Sequence, residues 1–171
     1  MNKNFSLGLL TLFGIGQVKN APGTIASLVT CLLYLFLYFV DINPNAILLI
    51  VIIISIYSII LIDKFSNHFK TKDPQEIVID EFIGQSIPLI LIYYETKYNH
   101  LYIELSGDDI FFIFLAFITF RIFDIFKPYP INIIDKNMKG GLGVVLDDIV
   151  AGIYSLMVIL IIAEITGWST F

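Results

Sequence analysis

The chain has 171 residues, of which 57% are hydrophobic and 15% are charged, and its formal net charge is −5. Soluble domains are about 45–50% apolar and about 25% charged, so the composition excludes a disordered chain. The acidic charge excludes a nucleic-acid binder, because phosphate backbones are bound by basic surfaces. A single membrane-embedded domain over residues 1–171 is favoured over a soluble helical protein with an unusually apolar core.

Long apolar runs dominate the chain. A membrane-spanning helix needs about 20 mostly apolar residues, and an open sheet leaves unpaired backbone groups in lipid. The expected fold is therefore an all-α, polytopic membrane helix bundle. The pattern predicts a short N-terminal interfacial or re-entrant helix at 5–16 and then about five spanning helices, at 24–40, 46–62, 77–94, 110–126 and 144–165. The lone cysteine, Cys31, is interpreted as a small apolar residue of the first span.

The predicted loops between these helices, at 41–45, 63–76, 95–109 and 127–143, make successive helices alternate in direction. The basic residues then separate between the two sides of the membrane. One side receives Lys19, Lys64, Lys70, Lys72, Arg121, Lys127, Lys136 and Lys139, whereas Lys97 falls on the other. Because an excess of Lys and Arg marks the cytoplasmic side, the side with residues 19–23 is predicted to be cytoplasmic.

Six charged side chains inside the predicted spans fall at the cytoplasmic helix ends. They come from three helices and are Asp80, Glu81, Arg121, Asp124, Asp147 and Asp148. Charges at membrane depth are costly and usually functional. A structural alternative exists for each of them. An acid in the first turn of a helix interacts favourably with the helix dipole, an arginine can snorkel to the interface, and Lys127 can neutralise a helix C-terminus.

These charges converge on one membrane face, and this argues against explaining each of them separately. Five carboxylates on one membrane face repel one another, and two or three basic residues leave an excess of negative charge. A divalent cation neutralises such a cluster, and oxygen ligands without His or Cys favour Mg²⁺ over Zn²⁺. Arg121 and Lys127 then remain available for an anionic substrate, since the forked donors of arginine suit phosphate oxygens.

Two segments contain turn-forming residues beside these helices. Ala21-Pro22-Gly23-Thr24 has ordinary helix-start signals, and its free backbone N–H groups are able to meet a phosphate. Gly140-Gly141-Leu142-Gly143 lacks the Lys-Ser/Thr of a phosphate-binding P-loop. It is expected to form a flexible turn before the last helix.

In these segments the chain resembles the phosphatidylglycerophosphatase A family. Four blocks in the family's order carry the resemblance: Pro22-Gly23-Thr24 with Ser27, IVIDEFIGQ at 77–85, FRIFDIFKPYPI at 120–131 and GGLGVVLDDIVAG at 140–152. The resemblance implies a Mg²⁺-dependent phosphatase of the bacterial inner membrane. Such an enzyme hydrolyses phosphatidylglycerophosphate to phosphatidylglycerol and phosphate in phospholipid biosynthesis, with its active site on the cytoplasmic face.

The implied site has two groups of residues. The predicted catalytic and metal-binding residues are Asp80, Glu81, Asp124, Asp147 and Asp148, and the predicted substrate-binding residues are Arg121, Lys127, Thr24 and Ser27. The pattern is compatible with one metal ion or two, and with any of the carboxylates as base or nucleophile. The expected partners are the lipid substrate and the bilayer, with no nucleic acid and no obligate protein partner. The alternative is a membrane cation or proton transporter that uses its intramembrane carboxylates.

Overall fold

A computed structural model of the protein describes residues 3–65, 76–99 and 106–168. Every regular element in these ranges is helical. A 3₁₀ segment, Leu12–Gln17, lies between the first two of seven α-helices, which are α1 Lys3–Leu10, α2 Pro22–Val40, α3 Pro44–Phe65, α4 Ile79–Asn99, α5 Gly107–Phe126, α6 Ile131–Asn137 and α7 Gly140–Thr166. The prediction of an all-α bundle is confirmed.

Three of the described helices are long and apolar enough to cross a membrane, namely α2, α3 and α7, with 19, 22 and 27 residues. Two more, α4 and α5, have 21 and 20 residues, but both carry several charges. Large apolar side chains point outward from the bundle, for example Phe36, Ile53 and Ile161. Such an apolar exterior suits lipid. A total of five spanning helices stays a prediction.

The helix α4 lies in the middle of the bundle and packs against α2, α3, α5 and α7. The C-terminal half of α4 packs in an apolar core that includes Tyr34, Tyr93, Phe112 and Ile159. Buried hydroxyls in this region bond to carbonyls one turn earlier in their own helices, as Thr30 Oγ1 does to Ala26 at 2.8 Å. Several Ser and Thr hydroxyls of the bundle interior are thus satisfied within their own helices, which is the usual solution for these residues.

Two glycines allow α4 and α7 to cross closely. A Cβ on Gly84 would collide with the carbonyl of Asp148, and a Cβ on Gly152 would collide with the carbonyl of Gly84. Small residues at a helix crossing let backbones approach in a membrane bundle. This crossing brings the first turn of α4 beside the part of α7 that carries Asp148.

The two ends of the bundle differ in character. At one end Lys97 pairs with Asp41 at 2.7 Å, and Thr96 Oγ1 lies 3.0 Å from Asp109 Oδ1. The other end contains the starts of α2, α4 and α7 and the ends of α3 and α5, and it is called the acidic end below. The long helices therefore alternate in direction, as the short predicted loops indicated.

The N-terminal segment differs from the prediction of one helix over 5–16. The helix α1 ends at Leu10, and the 3₁₀ segment that follows begins with positive φ angles at Leu12 and Phe13 (44° and 55°). Thr11 caps this break by accepting a hydrogen bond from Gly14 N at 3.2 Å. The carbonyl of the fully buried Leu10 accepts a hydrogen bond from Val78 N, so tertiary packing beside α4 sets where the helix stops.

Two predictions about the loop at 127–143 were wrong. The segment contains a short helix, α6, and Gly140–Gly143 is the first turn of α7 rather than a flexible turn. Asp63 of α3 supplies the reason, because its Oδ1 accepts a hydrogen bond from Gly141 N at 2.6 Å. The predicted loops at 63–76 and 95–109 are covered only in part. Residues 66–75, with Lys70 and Lys72, and residues 100–105 lie outside the described residues.

Candidate active site

Three carboxylates from two helices meet at the acidic end. Asp80 and Glu81 stand in the first turn of α4, and Asp148 lies two turns inside α7. One carboxylate oxygen of each lies within 4.8 Å of the others. Asp80 Oδ1, Glu81 Oε2 and Asp148 Oδ2 are buried and have no hydrogen-bond partner among the described residues. Three buried, unpaired hard oxygens fit a divalent cation such as Mg²⁺, which relieves their repulsion.

Asp124 has a basic partner on its own helix. Arg121 Nη1 lies 2.7 Å from Asp124 Oδ2, and the two side chains are only 14% and 13% exposed. The same Nη1 donates to Ser27 Oγ on α2 at 3.4 Å, whereas Arg121 Nε has no partner in the described part of the chain. Arg121 therefore points into the bundle, which argues against the structural alternative that it snorkels to the interface.

Asp147 is paired with a base from outside its helix. Lys127, in left-handed conformation at the end of α5, lies 2.6 Å from Asp147 Oδ2 and 2.6 Å from Asp135 Oδ1. Partial burial alone lowers the pKa of the Lys127 ammonium. The hydrogen bonds and charges of Asp135 and Asp147 outweigh that effect and hold the pKa above its ordinary value. The ammonium therefore stays charged at neutral pH.

The start of α2 forms one wall of the site. Pro22 occupies the first turn, and a Cβ on Gly23 would collide with Glu81 Oε1. Only glycine allows the Glu81 carboxylate to lie against the backbone here. Ser27 is fully buried beside Arg121. The structure thus brings Ser27 to the predicted site, whereas Thr24 makes no side-chain hydrogen bond within the described residues.

The helix-dipole explanation applies to one of the two acidic pairs and not to the other. Asp80 and Glu81 do lie in the first turn of α4, where a carboxylate contributes about 0.3–1 kcal/mol through the dipole. Asp147 and Asp148 do not, because α7 begins at Gly140 and the dipole effect is confined to the first turn. For the α7 pair this alternative is wrong.

A family model for phosphatidylglycerophosphatase A matches residues 8–163, nearly the whole chain. The chain belongs to the phosphatidylglycerophosphatase A family. Membership of this family makes the protein a phosphatase that hydrolyses a phosphate monoester. The segments that carry the resemblance are the ones whose side chains meet at the acidic end.

Two of three relatives with similar sequences bear the name of this family. The chain is 33% identical over 144 residues to the phosphatidylglycerophosphatase A of Escherichia coli, covering 84% of this chain and 74% of that protein. It is 32% identical over 147 residues to the Haemophilus influenzae enzyme of the same name, covering 86% and 82%. A Bacteroides thetaiotaomicron protein provisionally named a phosphatidylinositol-3-phosphatase is 32% identical over 162 residues, 92% of each chain. No solved structure matches significantly.

Three polar residues near the acidic end were missed by the sequence analysis. Asp135 contacts Lys127, Asp63 contacts the start of α7, and Gln85 lies fully buried one turn after Glu81. Asp135 and Asp63 lie in stretches that looked like ordinary polar loop. Of the three, Gln85 could have been recognised from the sequence, because burying an amide in a membrane span is costly unless the amide is hydrogen-bonded.

Proposed function

We propose that this protein hydrolyses phosphatidylglycerophosphate to phosphatidylglycerol and phosphate, with Mg²⁺ bound at the acidic end of the bundle. The proposal is supported by the family and by relatives that bear the name phosphatidylglycerophosphatase A. The observation that carries it is the juxtaposition of three carboxylates, each with one buried oxygen that has no hydrogen-bond partner among the described residues, with Arg121 and Lys127. A lipid phosphomonoester lies at the membrane interface, which is the depth of helix ends.

The cation is the first element of the proposed mechanism. Asp80, Glu81 and Asp148 would hold it, with Asp124 and Asp147 nearby as further oxygen ligands. Five carboxylates against two bases repel a phosphate dianion, so a substrate binds here only when added positive charge offsets this excess. When bound, Mg²⁺ supplies Lewis-acid polarisation of the phosphoryl oxygens and activation of water.

The two basic side chains are the second element. Asp124 orients the Arg121 guanidinium through Nη1, which leaves Nη2 of the forked group to donate to a phosphate oxygen. Lys127 is charged and held between Asp135 and Asp147. Preorganised donors of this kind stabilise the charge that develops on the phosphoryl oxygens in the transition state. Ser27 supports the Arg121 position from α2.

The proposed location is the bacterial inner membrane, with the acidic end on its cytoplasmic face. Lys19, Lys64, Lys136 and Lys139 belong to the acidic end or to segments next to it, whereas Lys97 lies at the opposite end with Asp41. An excess of Lys and Arg on one side marks the cytoplasm. A phosphatase facing that side meets lipid phosphates made from cytoplasmic precursors.

A second candidate substrate is phosphatidylinositol 3-phosphate, which the name of the Bacteroides thetaiotaomicron relative suggests. Both lipids carry a phosphomonoester on a polar headgroup, so the same cation and basic residues suit either one. The transporter alternative is not favoured, because the chain belongs to a phosphatase family and the acidic cluster lies at one end of the bundle.

The test is phosphate release by the purified protein in mixed micelles of detergent and lipid, with each of the two lipids at equal surface concentration. We expect turnover of phosphatidylglycerophosphate with Mg²⁺ and none after chelation with EDTA. Faster turnover of phosphatidylinositol 3-phosphate would reassign the substrate. Release that survives EDTA would remove the cation from the proposal, and release from neither lipid would refute the function.

A further inference from the structure

Gln85 is a fully buried amide in the interior of the helix bundle. Its relative exposure is 0%, and neither Oε1 nor Nε2 has a hydrogen-bond partner among the described residues. The next residue, Ser86, is equally buried, but its hydroxyl donates to the Phe82 carbonyl at 2.7 Å. A buried amide without hydrogen-bond partners destabilises a protein. Ordered water usually satisfies such groups in proteins.

The position of Gln85 on α4 points its amide towards the acidic cluster. Residues four apart lie on the same helix face, so Gln85 stands one turn below Glu81. Helical side chains lean towards the helix N-terminus, which carries the amide towards the carboxylate layer. Glu81 Oε2 is itself buried and without a partner in the described ranges. Two polar groups without partners in the described ranges therefore lie on one face of α4, one turn apart.

We propose that Gln85 is a positioning residue that acts through a water molecule bound between its amide and Glu81. The water accepts a hydrogen bond from Gln85 Nε2–H and donates one to Glu81 Oε2. This link holds the Glu81 carboxylate in the orientation in which it, Asp80 and Asp148 bind the cation. The inference rests on the proposed function, because it assigns a supporting residue to the proposed cation site. Outer partners of metal ligands commonly set metal affinity in this way.

The test is Mn²⁺ binding to the purified protein in detergent, measured by electron paramagnetic resonance, with thermal unfolding in EDTA alongside. Gln85→Met keeps the size and removes both polar atoms. We expect about tenfold weaker Mn²⁺ binding, with thermal stability in EDTA equal to or above that of the unaltered protein. Ser86→Ala removes a neighbouring buried hydroxyl and is expected to leave Mn²⁺ affinity unchanged.

Gln85→Glu provides a second variant of nearly the same shape. It retains an oxygen that the water can bridge and adds negative charge, so we expect Mn²⁺ affinity equal to or above the original. Unchanged affinity in Gln85→Met, or weakened affinity in Gln85→Glu, overturns the inference and leaves the proposed function intact. Absence of Mn²⁺ binding by the unaltered protein overturns the proposed cation site and this inference together.

Discussion

The ammonium of Lys127 lies 2.6 Å from Asp147 and 2.6 Å from Asp135, and so joins α7 to the short helix α6 at the acidic end. Lys127 itself closes α5 with a left-handed backbone conformation. One cation thus ties three helices together beside the carboxylate cluster. Asp135 is the more exposed of its two partners, which makes its contribution separable from that of Asp147.

Replacing Asp135 by Ala should lower kcat/KM by about two- to fivefold, because a partly exposed ion pair contributes about 0–1 kcal/mol. Lys127 keeps its contact with Asp147, so activity should not vanish. The measurement is steady-state kinetics on phosphatidylglycerophosphate. The matched control is Lys136→Ala, an exposed charge on the same helix. Full activity in Asp135→Ala would show that Asp147 alone positions Lys127.

Replacing Asp80 or Asp148 by Asn should reduce turnover about 100- to 1,000-fold at saturating Mg²⁺, the usual loss when one electrostatic group of an active site is removed, while the protein still inserts and folds. Removing one of three mutually repelling carboxylates should also raise the unfolding temperature in EDTA. Asp108→Asn, an exposed acid at the opposite end, is the control. Near-normal turnover in either variant would remove that residue from the metal site and return it to a structural role.

Replacing Arg121 by Lys should lose much of kcat/KM without changing the Mg²⁺ requirement. Lysine retains the charge, but it lacks the forked geometry that lets one nitrogen bond Asp124 while another faces the phosphate. Kinetics in mixed micelles give the measurement, and Lys127→Arg is the companion variant. If Arg121→Lys were fully active, a point charge would suffice and the guanidinium would have no specific task.

Replacing Asp63 by Ala should destabilise the protein by about 0.5–2 kcal/mol, the usual effect of losing a helix N-cap. Asp63 accepts a hydrogen bond from the Gly141 N–H. Lys139, the residue at the N-cap position of α7, makes no side-chain cap hydrogen bond. Asp63→Asn should restore most of the stability, because an amide oxygen also caps well. Thermal unfolding in detergent measures both variants. Equal losses in Asn and Ala would point to charge rather than capping.

The orientation can be tested with single cysteines in a Cys31→Ala background. Asn45 and Lys136 are exposed and lie at opposite ends of the bundle. A membrane-impermeant maleimide applied to intact spheroplasts should label Asn45→Cys, and it should label Lys136→Cys only after lysis. The reverse pattern would place the acidic end outside the cytoplasm.

Much of the architecture follows from the sequence by itself. Apolar runs of about 20 residues joined by short loops force successive helices to alternate in direction, so charges at the start of one helix and the end of the next share one end of the bundle. The sequence therefore predicted that Asp80, Asp124 and Asp147 lie at one end of the bundle, and its motifs indicated the family that the comparisons confirm. Neither conclusion depends on how the helices are rotated about their axes.

Rotation and local contacts were decided only in the tertiary structure. Helix direction brings five carboxylates to one end, but side-chain direction decides that Asp148 joins Asp80 and Glu81 while Asp124 and Asp147 pair with bases. Likewise, Gly140–Gly143 looks like a turn in isolation, and it becomes helix because Asp63 of another helix accepts the Gly141 N–H. Contacts between side chains of different helices leave no periodic trace in either sequence segment, and so only the packed structure determines them.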